Sequence, residues 1–483
     1  MTPRSPEEAA GDAPHTEGQA TGRWARLRDR DHTHGSLLAS LGVMALPLLA
    51  TSLVGGVVFQ LTDLKLVSGL GEDATTAVVI TNQSWRQILF MLVMGASFGA
   101  QGLISRSLGR GDHEAAGHVT GQVVALGAML SLVVGIGGVV YAPELLAAMN
   151  VSPEVLEIGI PYVRLVFLLN WCFVFLFLAT AILNGAGDSL TPMLIAMLQV
   201  VVALVAEWCL IYGHLGLPPL GIRGVALGLA TGQVIALAIY ARVFFGGTSR
   251  IHLKLRHLIP DPTVMRRILV LAWPPAVQML GNFLVTVFFI RLMGDFGPKA
   301  QAAYSIGLRL GMVGPIVSFP IAGACATLVG QNLGSGNIPR AWRALGVGLL
   351  AHLSLLWSAA LLLFVFRVPL LATFSDDPEV IRIGSELLVY QAGSFAMLGF
   401  YFVFFRALQG AGDVMVPMIL SLGTSLLVTL PVGLWLSSKA EYGPTGIFIA
   451  TFAGAAVATL VTAVWVGTGR WTTARARARG VAE

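Results

Sequence analysis

Charged residues are scarce in this chain, and their scarcity excludes a water-soluble protein. Asp, Glu, Lys and Arg make up 11% of its 483 residues, 55% of the residues are hydrophobic, and the mean hydropathy is +0.78. Soluble domains carry about 25% charged residues, and a single water-soluble core cannot bury so much apolar surface. We therefore predict a polytopic membrane protein whose solvent is the bilayer.

Cysteine is equally scarce, and no catalytic motif is present. Cys172, Cys209 and Cys325 lie in apolar stretches without paired spacing, which excludes a disulfide framework and a thiolate metal site. The sequence contains no HExxH, no nucleophile motif and no loop large enough for a catalytic domain. We expect neither an enzyme nor a bound metal or cofactor.

After a polar amino-terminal segment, the chain consists mainly of long hydrophobic runs. Residues 1–35 are rich in Pro, Gly and charge, contain no cleavable signal peptide, and are predicted to be a disordered tail. Each later run exceeds the roughly 20 residues of a transmembrane helix. The twelve predicted spans are 37–63, 75–105, 116–141, 155–183, 191–213, 223–245, 266–292, 300–331, 340–366, 380–408, 415–437 and 445–467. Several are long enough to require tilt or bends.

The distribution of Lys and Arg predicts the orientation. With the amino terminus in the cytoplasm, twenty of the 30 basic residues lie on the cytoplasmic side, seven on the outer side and three within spans. We therefore predict a plasma (inner) membrane protein with both termini in the cytoplasm. The basic segment 250–260 then faces anionic lipid, which makes membrane lipids a partner and excludes nucleic acid as one.

An internal repeat divides the chain into two halves. SLGRGD (107–112) matches NLGSGN (332–337), SPEVLEIG (152–159) matches DPEVIRIG (377–384), and NGAGDSLTPM (184–193) matches QGAGDVMVPM (409–418), each at an offset of 225. Because each half has an even number of spans, the halves share one orientation and form a parallel repeat.

The fold class predicted from this repeat is an all-α membrane protein with two six-helix bundles. The boundaries are a tail (1–35), an N-lobe (36–247), a basic cytoplasmic linker (248–265), a C-lobe (266–467) and a basic tail (468–483). Two bundles around a cleft are typical of a transporter. A channel would repeat a pore loop, and none is visible.

Motifs that both halves share are interpreted as architecture. In GAGD, the glycines end one helix, and Asp188 or Asp413 caps the next. SPE and DPE begin helices with a cap and a proline at the first position. Glycines four residues apart, Gly228/Gly232 and Gly307/Gly311, predict close helix packing.

Acids that only one half possesses are candidates for function. Lys65 aligns with Arg291, so a basic residue here is common to both halves and is interpreted as interfacial. Asp63 instead aligns with Phe289, and it lies on a different helix face from Lys65 because the two are only two residues apart. An interfacial acid is the alternative interpretation of Asp63.

Glu207 is the second one-sided acid, and its counterpart is Val432. Asp63 and Glu207 both fall in the outer half of the N-lobe. A carboxylate at such depth is costly and usually faces a cavity, and burial favours its neutral form. Both acids are therefore plausible proton carriers. An ion pair of Glu207 with Arg164 or Arg86 is the structural alternative.

These residues also carry a resemblance to a known family. Over residues 36–467 the chain resembles the multidrug and toxic compound extrusion (MATE) transporters, through the stretches LPLLATSL, LNGAGDSLTPM, AAYSIGLRL, VGQNLGSGN and FFRALQGAGD. The resemblance implies twelve helices in two lobes, alternating access, and export of drug-like organic cations against H⁺ or Na⁺. It implies no cofactor beyond the ion gradient, and we expect a monomer.

The resemblance also assigns residues. Asp63 matches the first-helix acid of the DinF-like branch, Glu207 the fifth-helix acid of an Asn-x-x-x-Asp pattern, and Thr231 the sixth-helix threonine. The Asn of that pattern is Ala203 here, and the acids that the NorM-like branch has in spans 7 and 10 are replaced by Asn282 and Leu398. The chain is therefore predicted to be closer to the DinF-like branch and coupled to H⁺ rather than Na⁺.

Other residues are assigned by type. Aromatic side chains with cation–π capacity are candidates for the cavity lining, namely Trp171, Phe175, Tyr304 and Phe395. The intramembrane arginines Arg86, Arg164 and Arg309 are candidate charge partners, and they would suit an anionic or zwitterionic substrate. A flippase for a lipid-linked or amphiphilic precursor, in the same superfamily, is the alternative function.

Overall fold

The computed structural model describes residues 32–149, 151–247, 249–439 and 441–473, and these form helices without any β-strand. Within these described ranges, eleven helices are long and apolar enough to cross a membrane, and one bent pair makes a twelfth. In chain order they are α1 (Leu37–Ser68), α2 (Glu72–Gly109), α3 (His113–Val140), α4 (Pro153–Leu168 and Asn170–Ala186), α5 (Leu190–Tyr212), α6 (Ile222–Phe245), α7 (Pro262–Gly294), α8 (Pro298–Gly334), α9 (Ile338–Val365), α10 (Pro378–Gly410), α11 (Met415–Ser437) and α12 (Thr445–Gly467). The prediction of twelve spans and of this fold class is confirmed. Most of the two predicted tails lies outside the described residues.

Several spans are bent or broken in the middle, as their length predicted. The segment Val54–Val58 of α1 is a π-helical turn, α2 breaks at Ser84, and the two parts of α4 meet at 41°. The break in α8 at Met312 corresponds to the break in α2, so this feature belongs to both halves. Such irregular turns are common next to functional residues.

The motifs shared by the two halves have the structural roles predicted for them. Asp188 Oδ1 accepts the Thr191 N–H at 3.0 Å, and Asp413 Oδ1 accepts the Val416 N–H at 3.4 Å. Ser152 caps the helix that begins at Pro153 in the same way. These contacts satisfy backbone donors at helix starts and confirm the predicted capping role of GAGD and SPE.

The two halves meet around a pseudo-two-fold axis where α2 crosses α8. Added Cβ atoms show how close the backbones are: at Gly330 a Cβ would lie 2.2 Å from Ser105 Oγ, at Gly109 it would lie 2.2 Å from Gln331 O, and at Gly334 it would lie 2.4 Å from Arg106 O. Ser105 and Gly330 are 225 positions apart, as are Gly109 and Gly334, and Arg106 and Gln331. The contact is therefore reciprocal, which independently confirms the parallel repeat.

Buried polar side chains complete this contact. Gln101 of α2 donates from Nε2 to Thr327 Oγ1 at 2.9 Å, and Arg406 of α10 donates to Gln101 Oε1. The Arg406 guanidinium also lies 3.8 Å from the centre of the Phe98 ring. We call these residues, together with the α2–α8 crossing at Ser105 and Gly330, the α2–α8 seal.

The first and last parts of α1 pack against different partners. Leu41 and Met44 of α1 share an apolar cluster with Ile321 and Leu328 of α8, whereas Val67 packs with N-lobe residues. Helix α7 behaves likewise, because its early residue Ile268 joins the N-lobe core and its late residues join a C-lobe cluster. Helices α1 and α7 therefore connect the two halves.

The linker between the halves is docked on α3. Glu114 accepts hydrogen bonds from Lys254 at 2.8 Å and from Arg256, and it contacts the buried His257 at 2.8 Å. Gln122 of α3 donates to the His257 carbonyl at 2.8 Å. Part of the basic charge that the sequence assigned to the lipid surface is therefore paired within the protein.

Candidate functional site

Helices α1 and α5 bring the two one-sided acids together. Asp63 lies in the last segment of α1, after the π-helical turn, and Glu207 lies in the second half of α5. Glu207 is 0% exposed and Asp63 is half-buried. Their side-chain carboxyl groups lie close enough for each to influence the ionisation of the other. Lys65, two residues after Asp63, is exposed, which confirms that the two neighbouring charges have different environments.

A tight contact with α6 fixes the backbone at Glu207. A Cβ at Gly228 would lie 2.5 Å from Glu207 Cα and Cγ, and one at Gly232 would lie 2.6 Å from Gln199 O. Only glycine allows helices to approach this closely. The predicted packing role of Gly228 and Gly232 is confirmed, and the α6 side of Glu207 has no room for a further side chain.

Arg86 supplies a positive charge to the pair. It follows the break in α2 at Ser84, and it interacts electrostatically with both Asp63 and Glu207. Within the described ranges, no ion pair shorter than 4.0 Å includes any of these three residues. Charges in a low-dielectric interior interact strongly across longer distances. Arg86 is therefore the arginine that lies near both acids, whereas the alternative candidate Arg164 is exposed.

Two contacts hold Arg86 in place. Its Nη1 donates to Asn82 Oδ1 at 3.2 Å, four residues earlier and on the other side of the break at Ser84. Its guanidinium carbon lies 4.9 Å from the centre of the Phe173 ring in α4. A cation over an aromatic face is stabilised by the ring quadrupole. The guanidinium is thus oriented by neighbours other than the acids.

The two carboxyl groups cannot form a hydrogen bond with each other unless they hold a proton. In the part of the chain that the structure describes, neither Oε1 nor Oε2 of Glu207 has a hydrogen-bond partner. Ionised carboxylates are acceptors only, whereas a protonated carboxyl is also a donor. One proton therefore turns Asp63 and Glu207 into a donor–acceptor pair and removes the repulsion between two like charges.

A cavity of about 30 Å³ lies beside Arg86. Its polar lining residues are Thr81, Arg86, Tyr162, Asn170 and Gln233. A cavity that holds a water molecule needs at least about 10–15 Å³ and several polar partners, and this cavity meets both conditions. Tyr162 also interacts electrostatically with both acids, which connects the cavity to the carboxyl pair.

The remaining candidates do not join this cluster. Thr231 is exposed and donates its hydroxyl to Leu227 O of its own helix at 2.8 Å. Trp171 and Arg309 are exposed, and Phe175 is half-buried near Gly127. Tyr304 and Phe395 are 3% and 5% exposed within apolar clusters of the other half. None of the four aromatic candidates lines the cavity beside Arg86.

Sequence reasoning missed three residues of the cluster. Asn82 had a usable signal, because it precedes Arg86 by four residues, the spacing at which two side chains of an unbroken helix would share a face. Tyr162 and Phe173 had none, because an aromatic residue in a span is usually lipid-facing or core. Only the packing of α4 against α2 reveals their roles.

The equivalent place in the other half is apolar. Phe289, which aligns with Asp63, is 2% exposed and belongs to a hydrophobic cluster. A Cβ at Gly433 would lie 2.8 Å from its ring. The same architecture thus contains a charged cluster in one half and a packed core in the other.

Comparisons with known proteins agree with this architecture. The family model MatE matches residues 47–209 and again residues 274–435, once in each half. The chain is 24% identical to "Probable multidrug resistance protein NorM" of Thermotoga maritima over 89% of this chain and 92% of that protein. It is 26% identical to "Multidrug resistance protein PmpM" of Pseudomonas aeruginosa (83% and 84% covered) and 25% identical to the "FAD transporter" of Shewanella oneidensis (84% and 90% covered).

Solved structures share the fold. One is described as the outward-facing conformation of a multidrug resistance MATE family transporter; it has a TM-score of 0.82 at 21% identity and covers 94% of this chain and 98% of that one. A second, from Pyrococcus furiosus and described as having a binding pocket of reverse polarity, has the same TM-score, identity and coverage. Because the family model matches both halves and most of the chain, the protein belongs to the MatE family of membrane transporters and is not an enzyme.

Proposed function

We propose that the chain exports organic, drug-like cations in exchange for protons. The observation that carries this proposal is the meeting of Asp63 and Glu207, with Arg86 nearby, in one half only of a duplicated transporter. The multidrug resistance names of two relatives support export of drug-like compounds, and the negative charge of the two acids supports cations among them. The driving force is an ion gradient, and no cofactor takes part.

The mechanism is competition for one negative site. When the site is open to the outside, the carboxyl pair takes up a proton, and the loss of negative charge releases a bound cation. When the site is open to the cytoplasm, the proton leaves and a cation binds in its place. Two ligands that exclude each other from one site are coupled without touching.

The lobes alternate access by opening and closing the α2–α8 seal. Contacts between α2 and α8 are concentrated near Ser105 and Gly330, at the end of the spans where Gly109 and Gly334 lie. With both termini in the cytoplasm, this end is the cytoplasmic one, and the closed seal belongs to an outward-facing state. The inner membrane of the cell is the expected location, with the substrate, the coupling ion and lipid as the partners of a single chain.

Proton coupling is favoured over sodium coupling by the composition of the C-lobe. Asn282 donates to Ser421 Oγ at 3.2 Å and accepts from Ser425 Oγ at 3.0 Å, so this position is neutral and its amide is occupied. A hard cation such as Na⁺ prefers carboxylate and carbonyl oxygens. On the same grounds we propose that the chain is nearer to the DinF-like branch. No observation favours the flippase alternative.

Efflux from vesicles under a separately imposed proton or sodium gradient tests the proposal. Wild type should export ethidium under a proton gradient, and Asp63→Asn should abolish this export, because Glu207 alone is balanced by Arg86 and leaves no net negative charge for a cation or a proton to neutralise. Lys65→Gln is the matched control, since Lys65 is exposed and two residues away, and it should retain export. Equal losses in the two variants, or export driven only by sodium, would contradict the proposal.

A further inference from the structure

The charge balance of the site is set by three side chains. Asp63 and Glu207 contribute two negative charges when ionised, and Arg86 contributes one positive charge. From α4 the cluster is faced by Tyr162, which is neutral at physiological pH, and α6 contributes the uncharged Gly228 and Gln233. The basic residues Lys65, Arg164 and Arg223 of the same half are exposed. The empty, fully ionised site therefore carries a net charge of minus one.

The positive charge in this balance is permanent. A guanidinium does not lose its proton in proteins, and the Asn82 amide and the Phe173 ring hold it in position at 3.2 Å and 4.9 Å. Arg86 is also one-sided, because the equivalent residues 311–313 are Gly, Met and Val. Arg86 is therefore found in the same half as the two acids and is not part of the architecture that both halves share.

We infer that Arg86 limits the site to one exchangeable positive charge, so that the transporter selects univalent organic cations over divalent ones. The inference rests on the proposed exchange of protons for cations and adds a rule for the substrate. A univalent cation or one proton neutralises the site. A divalent cation leaves an uncompensated positive charge beside Arg86, and an unpaired charge in a buried site is strongly disfavoured.

Ethidium and propidium form a matched pair of probes, because they share one ring system and propidium carries an additional quaternary ammonium. Their affinities for the purified full-length protein are measured by fluorescence titration. Wild type should bind ethidium at least about tenfold more tightly than propidium, equivalent to about 1.4 kcal/mol. Arg86→Gln should remove or reverse this preference, and Arg86→Lys should preserve it. An unchanged ratio in Arg86→Gln would overturn the inference.

A double variant separates charge from structure. Arg86→Gln combined with Glu207→Gln restores the net charge of minus one, so the preference for ethidium should return even though two side chains have changed. Arg223→Gln removes an exposed arginine of the same half and should leave the ratio at its wild-type value. If the double variant has the same ratio of ethidium to propidium affinity as Arg86→Gln alone, the net charge of the site does not set the preference and the inference is wrong.

A measurement without dye distinguishes failure of the inference from failure of the proposed function. Infrared spectroscopy counts protonated carboxyl groups through their C=O stretch. Without Arg86, two adjacent carboxylates lack compensation, so Arg86→Gln should gain one protonated carboxyl relative to wild type at neutral pH. No gain would overturn the inference while leaving proton exchange intact. Failure of wild type to bind either dye would overturn the proposed function, and the substrate rule with it.

Discussion

The most quantitative prediction from the structure concerns the stability of the α2–α8 seal. Arg406 is 3% exposed, donates a charged hydrogen bond to Gln101 and lies 3.8 Å from the Phe98 ring centre. A hydrogen bond to a charged group is worth about 1.5–3 kcal/mol, and a desolvated cation–π contact is worth about 2 kcal/mol. Arg406→Gln should therefore destabilise the closed seal by about 3–5 kcal/mol, which shifts the equilibrium toward the open seal at least about a hundredfold.

Pulsed EPR distances between spin labels at the two helix ends measure this shift. Arg110 and Ser335 are exposed, follow α2 and α8 respectively, and are equivalent in the repeat. The native cysteines are buried, so labels attach to cysteines introduced at these two positions. Wild type should give one short distance, and Arg406→Gln should add a longer one.

The control for this experiment is Arg343→Gln, which removes an exposed arginine of the same half. A double-mutant cycle with Gln101→Ala isolates the pairwise term, and the two changes should be non-additive by at least about 0.5 kcal/mol. A distance distribution that Arg406→Gln leaves unchanged would refute the idea that this arginine holds the lobes together.

Two further predictions concern stability. Gly228→Ala should lower the free energy of unfolding by about 1–3 kcal/mol, because its Cβ would lie 2.5 Å from Glu207 Cα, whereas Gly42→Ala, with nothing within 4 Å, should not; thermal unfolding of the two variants checks this. The hydrogen bond from His118 lowers the pKa of Asp261, so the stability that this carboxylate contributes is present above the ordinary pKa of about 4 and is lost as the pH falls through its lowered value. Asp261→Asn should consequently flatten the decline of Tm between about pH 5 and about pH 3, and an unchanged slope would contradict this assignment.

The sequence predicted the helices and the repeat because lipid permits few alternatives. Long apolar runs must form helices in a bilayer, and an offset of 225 that recurs in three motifs reports one duplicated architecture. The comparison of halves also isolated Asp63 and Glu207, since the equivalent residues Phe289 and Val432 cannot ionise. The helices, the repeat and the one-sided acids could therefore be predicted from the sequence, because the bilayer or the duplication causes the patterns that reveal them.

The partners of these acids could not be predicted in the same way. Arg86, and not Arg164, lies near the acids because α2 breaks at Ser84. No sequence rule predicts the direction in which a helix turns at such a break. Tyr304 and Phe395 were assigned to a cavity by residue type alone, and their environment of apolar neighbours is set by helix packing. Side-chain direction within a span is a tertiary property that sequence period does not determine.

The central claim is that a cation and a proton compete for the carboxyl pair of Asp63 and Glu207. The most direct measurement is the number of protons released when ethidium binds to the purified protein in weakly buffered solution near neutral pH. The account predicts about one proton per bound cation in wild type and none in Asp63→Asn. Stoichiometric binding without any proton release in wild type, or the same release in Asp63→Asn, would contradict it.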